Sequence, residues 1–301
     1  MHRFVRWLPL IIAGALAGCP LPAPKPPEIQ WRPALPLQGS LVVVVVRTSG
    51  YKTTPLVAGT LAGELLHFEP DSQDSFVALG GIPLDTGDTI LVRVSVNGHE
   101  FVTPLPVAHR IVAREELRTA RRFTTPPDSA LRVRLERERL RVRQVLERTH
   151  ATPRLWSMPF ARPRPSEISS GFGLEREFND VLESRHLGVD FAGRQGAAVR
   201  AANRGVVTLV DDLFYSGRTV YIDHGAGLLT AYLHLSRALV TEGDTVQWDQ
   251  VIGQVGATGR VTGPHLHWLA RYGAILVDPL DLVTLEWTPS SPPTGAGALS
   301  R

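Results

Sequence analysis

From about Ser169 to Leu285 no stretch of the chain keeps the 3.6-residue apolar period of a helix, and short β-branched runs alternate with glycine turns instead. That pattern restricts this segment to an all-β fold. The clearest strands are Val206–Val210, Thr219–Ile222, Leu228–Leu233 and Val251–Val255. Near the end of the segment stands Gly263-Pro264-His265-Leu266-His267-Trp268. Side chains on a strand alternate faces with period two, so His265 and His267 share one surface while Leu266 points into the core. Two imidazoles side by side suit one metal ion, or a metal and the water beside it. The pair becomes informative only if the chain supplies further ligands.

Upstream, His186-Leu187-Gly188-Val189-Asp190 places a histidine and an aspartate four apart around a glycine that permits a sharp bend. With one histidine of the later pair they form a two-nitrogen, one-oxygen set, which leaves a fourth position open on zinc. An open position separates a catalytic site from a closed structural one. No cysteine is available in the region for a structural zinc, and calcium, which takes six or more oxygens, does not suit the set. His234, in Tyr232-Leu233-His234-Leu235-Ser236, lies on the face opposite Leu233 and can look into the same groove. Hydrolysis also needs a proton acceptor and a stabiliser of the oxyanion. Two histidines that are not ligands could fill both roles.

The rest of the chain is organised around this segment. Arg3 and Arg6, the apolar run Leu8–Leu16 and Leu16-Ala17-Gly18-Cys19 read as an export signal over residues 1–18 whose apolar run is too short for a stable membrane span. Leu-Ala-Gly-Cys resembles the lipobox of bacterial lipoproteins, which makes Cys19 the expected lipidation site and a membrane the expected anchor. Cys19 is the single cysteine, so no intramolecular disulfide can form. Pro20 follows it where an aspartate would signal inner-membrane retention, so the expected location is the cell envelope, at an outer membrane facing the periplasm if the source is Gram-negative.

Residues 19–36 read as a proline-rich tether. Residues 37–108 read as a small β-sandwich with a hairpin at Asn97-Gly98, and His67 and His99 there read as surface or turn residues. Residues 109–150 read as an arginine-rich helical linker, capped by Asp128, whose apolar stripe (Leu131, Leu135, Val142, Leu146) packs on a neighbouring domain. Residues 151–165 read as an extended proline-rich linker, 166–285 as the all-β domain that carries these histidines, and 286–301 as a disordered tail. Removing Arg3 and Arg6 from 32 basic residues leaves 30 against 29 acidic ones, so composition gives no case for a nucleic-acid partner. Lys25 and Lys52 are the lysines, and neither lies where a biotinyl-type carrier would need one.

The motif series resembles the lysostaphin-type (LytM-like) zinc endopeptidases of peptidoglycan. It runs in order through Ser169-Ser170-Gly171-Phe172-Gly173, His186 to Asp190, Gly196-Ala197-Ala198-Val199, Asp223-His224-Gly225, Gly227-Leu228, Tyr232 to Ser236, Gly243-Asp244-Thr245-Val246, Gly256-Ala257-Thr258-Gly259 and Gly263 to His267. The resemblance implies an open two-sheet β-fold of barrel-sandwich, duplicated-hybrid-motif type. It implies zinc held by His186, Asp190 and His267, with His265 activating the attacking water and His234 positioning it or stabilising the oxyanion. It also implies hydrolysis of peptide cross-links in peptidoglycan; protein partners are not indicated. The alternative is a non-catalytic module of the same fold that binds peptidoglycan and activates other hydrolases. Some members place a tyrosine shortly before the first ligand, whereas Phe178 to Arg185 contains none. His224 matches the pattern but is expected to serve the turn at Gly225.

Overall fold

The run Leu41–Val46 is unbroken in apolar residues because the strand Leu41–Arg47 is covered on both faces. The computed structural model describes residues 25–287 apart from 52, 158 and 285. The signal segment, Cys19 and the tail from residue 288 therefore lie outside the described residues. Val42, Val44 and Val46 point into the N-terminal sandwich, packing with Leu61, Phe76, Val92, Val94 and Val96. Leu41, Val43 and Val45 point the other way, into a core shared with the C-terminal half. Full burial of each such side chain is worth roughly 1.5–3 kcal/mol, so the strand ties the two halves together.

The sandwich has two four-stranded sheets. One runs in the order Glu28–Arg32, Leu41–Arg47, Ser75–Gly81, Glu69–Ser72; the other runs Glu64–Leu65, Val57–Leu61, Thr89–Val96, His99–Pro106. Glu28–Arg32, expected in the tether, is instead an edge strand paired antiparallel from Glu28↔Arg47 to Arg32↔Val43. Its prolines flank the strand rather than interrupt it, and the alternating Ile29 and Trp31 pack on the sandwich core. His67 is a half-buried contact between the halves and not a surface residue: its Nε2 lies 2.9 Å from His150 Nδ1.

The segment 109–150 begins with a strand that its arginine content conceals. Arg114–Leu117 pairs in parallel with Glu175–Phe178, which pairs antiparallel with Leu182–Arg185. The helix follows as Ser129–Leu146, with Asp128 Oδ1 accepting from the Leu131 amide at 2.8 Å. Val142, Val145 and Leu146 pack on the outer face of the large sheet, against a cluster that includes Leu209, Tyr221 and Leu229. Arg141 reaches Asp211 at 2.6 Å and Glu242 at 2.5 Å, so part of the charged face is paired. The described residues of 151–165 run without regular structure, yet Trp156 and Phe160 are buried in the shared core. They are packed rather than extended in solvent because their aromatic side chains have a core to enter.

The C-terminal half is a ten-stranded antiparallel sheet that does not close into a barrel. Its path is Ile168–Ser170, Val189–Ala192, His265–Tyr272, Leu228–Ala238, Gly217–Gly225, Gly205–Leu213, Thr245–Val246. The strand Leu228–Ala238 serves two neighbours in turn: Leu228 to Leu233 pair with His265–Tyr272, and Leu235 to Ala238 pair with Val251–Val255. His234 is the extra residue at the change. Its φ is +63°, in the left-handed region that non-glycine residues rarely occupy. Tyr232 and Leu235 both lie in the shared core, a pairing that strict alternation forbids and the bulge permits.

Candidate metal centre

Cross-strand register brings the first two groups together. Asp190 is directly opposite His267 in the antiparallel pair Val189–Ala192 with His265–Tyr272, and Ala192 is opposite His265. Leu266, between the histidines, is fully buried on the other face. His186 enters from the preceding loop, whose backbone is pinned by His186 N to Leu174 O at 2.8 Å and Gly173 N to His186 O at 2.7 Å. Gly188 is required for space rather than for a bend. A Cβ there would meet His267 Nε2 at 2.5 Å and the Trp268 carbonyl oxygen at 2.5 Å.

The result is a triangle of donor atoms. His186 Nε2 is 2.9 Å from Asp190 Oδ1 and 3.0 Å from His267 Nδ1, and His267 Nδ1 is 2.8 Å from Asp190 Oδ1. All three residues are buried. Burial alone would raise the Asp190 carboxyl, but the hydrogen bonds and charge of His186 and His267 hold it well below the usual carboxylate range. Burial lowers His267 to about 4, against the opposing pull of Asp190, which leaves its ring neutral near pH 7.

Backbone carbonyls fix the tautomers of the other rings. His186 Nδ1 lies 2.5 Å from Gly171 O, His234 Nδ1 2.9 Å from Thr258 O, and His265 Nδ1 2.9 Å from Gly263 O. A carbonyl oxygen only accepts, so each Nδ1 carries the proton and each Nε2 presents a lone pair when the ring is neutral. His265 Nε2 is 3.6 Å from Asp190 Oδ1, and the His234 ring centre is 4.9 Å from that of His265 and 5.9 Å from that of His267. Burial, followed by the neighbouring His265 and His267, depresses His234 well below the ordinary histidine range. The sequence-derived set of five thus converges on one point. His224 does not join it: it is fully buried in the strand Gly217–Gly225, with Nδ1 donating to Arg204 O at 2.7 Å and Nε2 accepting from Thr230 Oγ1 at 2.8 Å.

Further polar residues that sequence reasoning missed surround the triangle. Arg176 Nη2 holds Asp190 Oδ2 at 2.7 Å and Ser170 Oγ at 2.8 Å, while its Nε meets Glu115 Oε2 at 2.9 Å. Ser170 Oγ donates to Glu115 Oε1 at 2.8 Å. The parallel pairing Glu115↔Arg176 joins residues 61 apart and leaves no local signal. A cleft of about 350 Å³ runs past Asp190, His234 and His265, and a narrower one of about 150 Å³ reaches His186, His234 and His267. Tyr215 lines the narrower cleft, so a tyrosine does approach the centre, from the loop after Leu213. A larger cavity of about 690 Å³ under the helix contains none of the five residues.

A buried set of two imidazole nitrogens and one carboxylate oxygen, open on one side, is a donor set for a single divalent ion. Residues 184–279 match the model of the family described as Peptidase family M23, and the chain therefore carries an M23 peptidase domain. It is 41% identical over 119 residues to the DD-carboxypeptidase/endopeptidase Mpg of Neisseria meningitidis serogroup B, covering 39% of this chain and 27% of that protein. It is 48% identical over 103 residues to the peptidoglycan DD-endopeptidase ShyA of Vibrio cholerae, covering 34% of this chain and 24% of that one. The match thus spans about a quarter of the length of these curated relatives. A crystallised protein of Pseudomonas aeruginosa assigned to peptidase M23 superposes with a TM-score of 0.64 at 27% identity, covering 82% of this chain and 95% of that one. That likeness extends well beyond residues 166–285, into the N-terminal β-rich half.

Proposed function

We propose that the protein is a zinc-dependent endopeptidase that hydrolyses peptide cross-links of bacterial peptidoglycan, cleavage of a D-alanyl cross-link being the chemistry expected of a diaminopimelate-type wall. The single observation that carries this reading is the triangle of His186 Nε2, Asp190 Oδ1 and His267 Nδ1, with edges of 2.8 to 3.0 Å. Three ligand atoms on a tetrahedral zinc with bonds of about 2.0–2.1 Å would stand about 3.3 Å apart, so a small outward movement accommodates the ion. The donor chemistry also fits. With Nδ1 of His186 committed to Gly171 O, its Nε2 lone pair faces a carboxylate and a second imidazole nitrogen, an arrangement that a cation stabilises. Arg176 on the remaining Asp190 oxygen fixes the carboxylate so that Oδ1 faces the site.

When bound, the ion supplies a Lewis acid that lowers the pKa of water and polarises a carbonyl. The chain's own residues supply the proton path. His265 Nε2 accepts a proton from the attacking water as its oxygen bonds to the scissile carbonyl carbon, and returns a proton to the leaving amine as the C–N bond breaks. His234, neutral and with Nδ1 committed to Thr258 O, presents an acceptor; it orients the second hydrogen of the water and is not equipped to donate to an oxyanion. Of the two roles the resemblance offers for His234, positioning is the one its tautomer supports.

The alternative, a non-catalytic module that activates other hydrolases, would not need these five groups to keep converging with fixed tautomers. Incubating purified sacculi with the wild-type protein should release soluble muropeptides, and His267→Ala should release none above background. Equal release by both would remove the metal mechanism. The proposed location is the cell envelope, with the chain anchored through a lipid on Cys19 and the peptidase domain facing the periplasm at the outer membrane; its support is the lipobox-like Leu16–Cys19 and Pro20.

A further inference from the structure

Among the cations lining the two clefts, Arg176 is committed to Asp190, Glu115 and Ser170. Arg260 is different. Among the described residues it has no acidic partner, and its one side-chain hydrogen bond, Nη2 to Ser184 Oγ, is long at 3.4 Å. A guanidinium carries five N–H donors in a fixed plane, so most of this one's capacity is left for water or a ligand.

The side chain is nevertheless held in place. Its backbone N donates to Tyr215 O at 2.8 Å, and the guanidinium carbon lies 4.3 Å from the Phe178 ring centre and 5.1 Å from that of Tyr215. Stacking of this kind fixes the plane and screens its faces from water, while leaving the edge donors able to reach an in-plane acceptor. Burial, with Arg176 nearby, makes the charged form less favourable than usual, so an incoming anion would relieve a cost already present. Arg260 also borders both clefts, one shared with Asp190, His234 and His265 and the other with His186, His234 and His267. A peptide that reaches the histidines passes this fork.

We propose that Arg260 binds a free carboxylate of the substrate peptide, on a residue beside the scissile bond, through a paired two-point contact, and thereby selects substrates that carry that group. The proposal rests on the endopeptidase reading above and specifies which peptides that site accepts. A planar fork matches a carboxylate in a way an ammonium does not, so Arg260→Lys should recover only part of what Arg260→Gln loses. The carboxylate could belong to a side chain or to the peptide's C-terminus, and the test separates these sources.

Three versions of one cross-linked peptide serve as probes: both carboxylates free, the side-chain carboxylate amidated, and the C-terminal carboxylate amidated. For the wild type, kcat/KM should fall about 10- to 100-fold on amidation of the recognised group, mostly through KM, and little on amidation of the other. In Arg260→Gln the ratio between the free and amidated peptides should move towards one. Loss of the same factor on all three peptides would overturn the proposal and assign Arg260 to packing or to the reacting carbonyl. The same peptides are titrated calorimetrically into chelator-treated protein, where no turnover occurs. Affinity that depends on one carboxylate and on Arg260 upholds the assignment even if none of the peptides is hydrolysed, in which case only the endopeptidase reading fails. Equal affinity for all three, or no binding of any, overturns the assignment itself.

Discussion

Histidines in this molecule are separated into roles by what their Nδ1 atoms touch. Gly171, Thr258 and Gly263 carbonyls take the Nδ1 protons of His186, His234 and His265, whereas His267 turns its Nδ1 inward. No sequence rule distinguishes these tautomers, because the carbonyls come from turns brought close only by the fold. His224 shows the opposite outcome, a motif histidine held in the core with the Phe160 ring 4.9 Å away. Burial lowers it to about 4 despite the Arg204 carbonyl, which would raise it. Its folded pKa lies below its unfolded value near 6.5, so the unfolded state takes up the proton first; the stability it contributes is present above about pH 6.5 and is lost as pH falls towards 4. Between pH 7 and pH 5 this group alone should cost about 2 kcal/mol, read as the extra pH dependence of urea-unfolding stability in wild type over His224→Gln. Identical pH dependence in the two proteins would contradict that assignment.

At the scale of elements, the site is made where a loop crosses a strand pair. The loop 186–188 passes so close to the strand His265–Tyr272 that Gly188 leaves no room for a Cβ beside His267. Gly188→Ala should turn the His267 ring and weaken zinc binding by about 10- to 100-fold in a competitive chelator titration, with the far-ultraviolet circular dichroism of the sheet unchanged. Wild-type affinity in that variant would show that the ring has slack the geometry does not suggest. Much of this element was legible in the sequence. The period-two spacing of His265 and His267 and the all-β character of 166–285 follow from local rules, and the ordered motif series pointed to His186, Asp190 and His267, which the fold brings together. Glu28–Arg32 and Arg114–Leu117 were obscured by prolines and by charge, respectively, and Arg176 and Glu115 meet only through a parallel pairing that leaves no local trace. The bulge at His234 was likewise hidden, since it depends on two neighbours pairing with one strand in different registers.

Across the whole molecule, the N-terminal sandwich and the peptidase domain share a core through Leu41, Val43 and Val45, and polar ties reinforce the join. Arg154 meets both Glu69 oxygens at 2.7 Å, Arg110 meets Asp278 at 3.1 Å, and Leu41 N donates to Asp281 Oδ2 at 2.8 Å. The strand Arg114–Leu117, upstream of the helix, supplies the glutamate that braces Arg176 and through it Asp190. The site is thus completed by residues from outside the domain that carries His186, Asp190 and His267, and its metal content is best measured on the full chain. Metal analysis by inductively coupled plasma mass spectrometry, after purification without chelators, tests the central claim directly. The expected result is about one zinc per chain in wild type and in an inactive His265→Ala protein, and almost none in His267→Ala. A wild-type protein without zinc, or a His265→Ala protein that has lost its metal while His267→Ala retains it, would contradict the proposed centre.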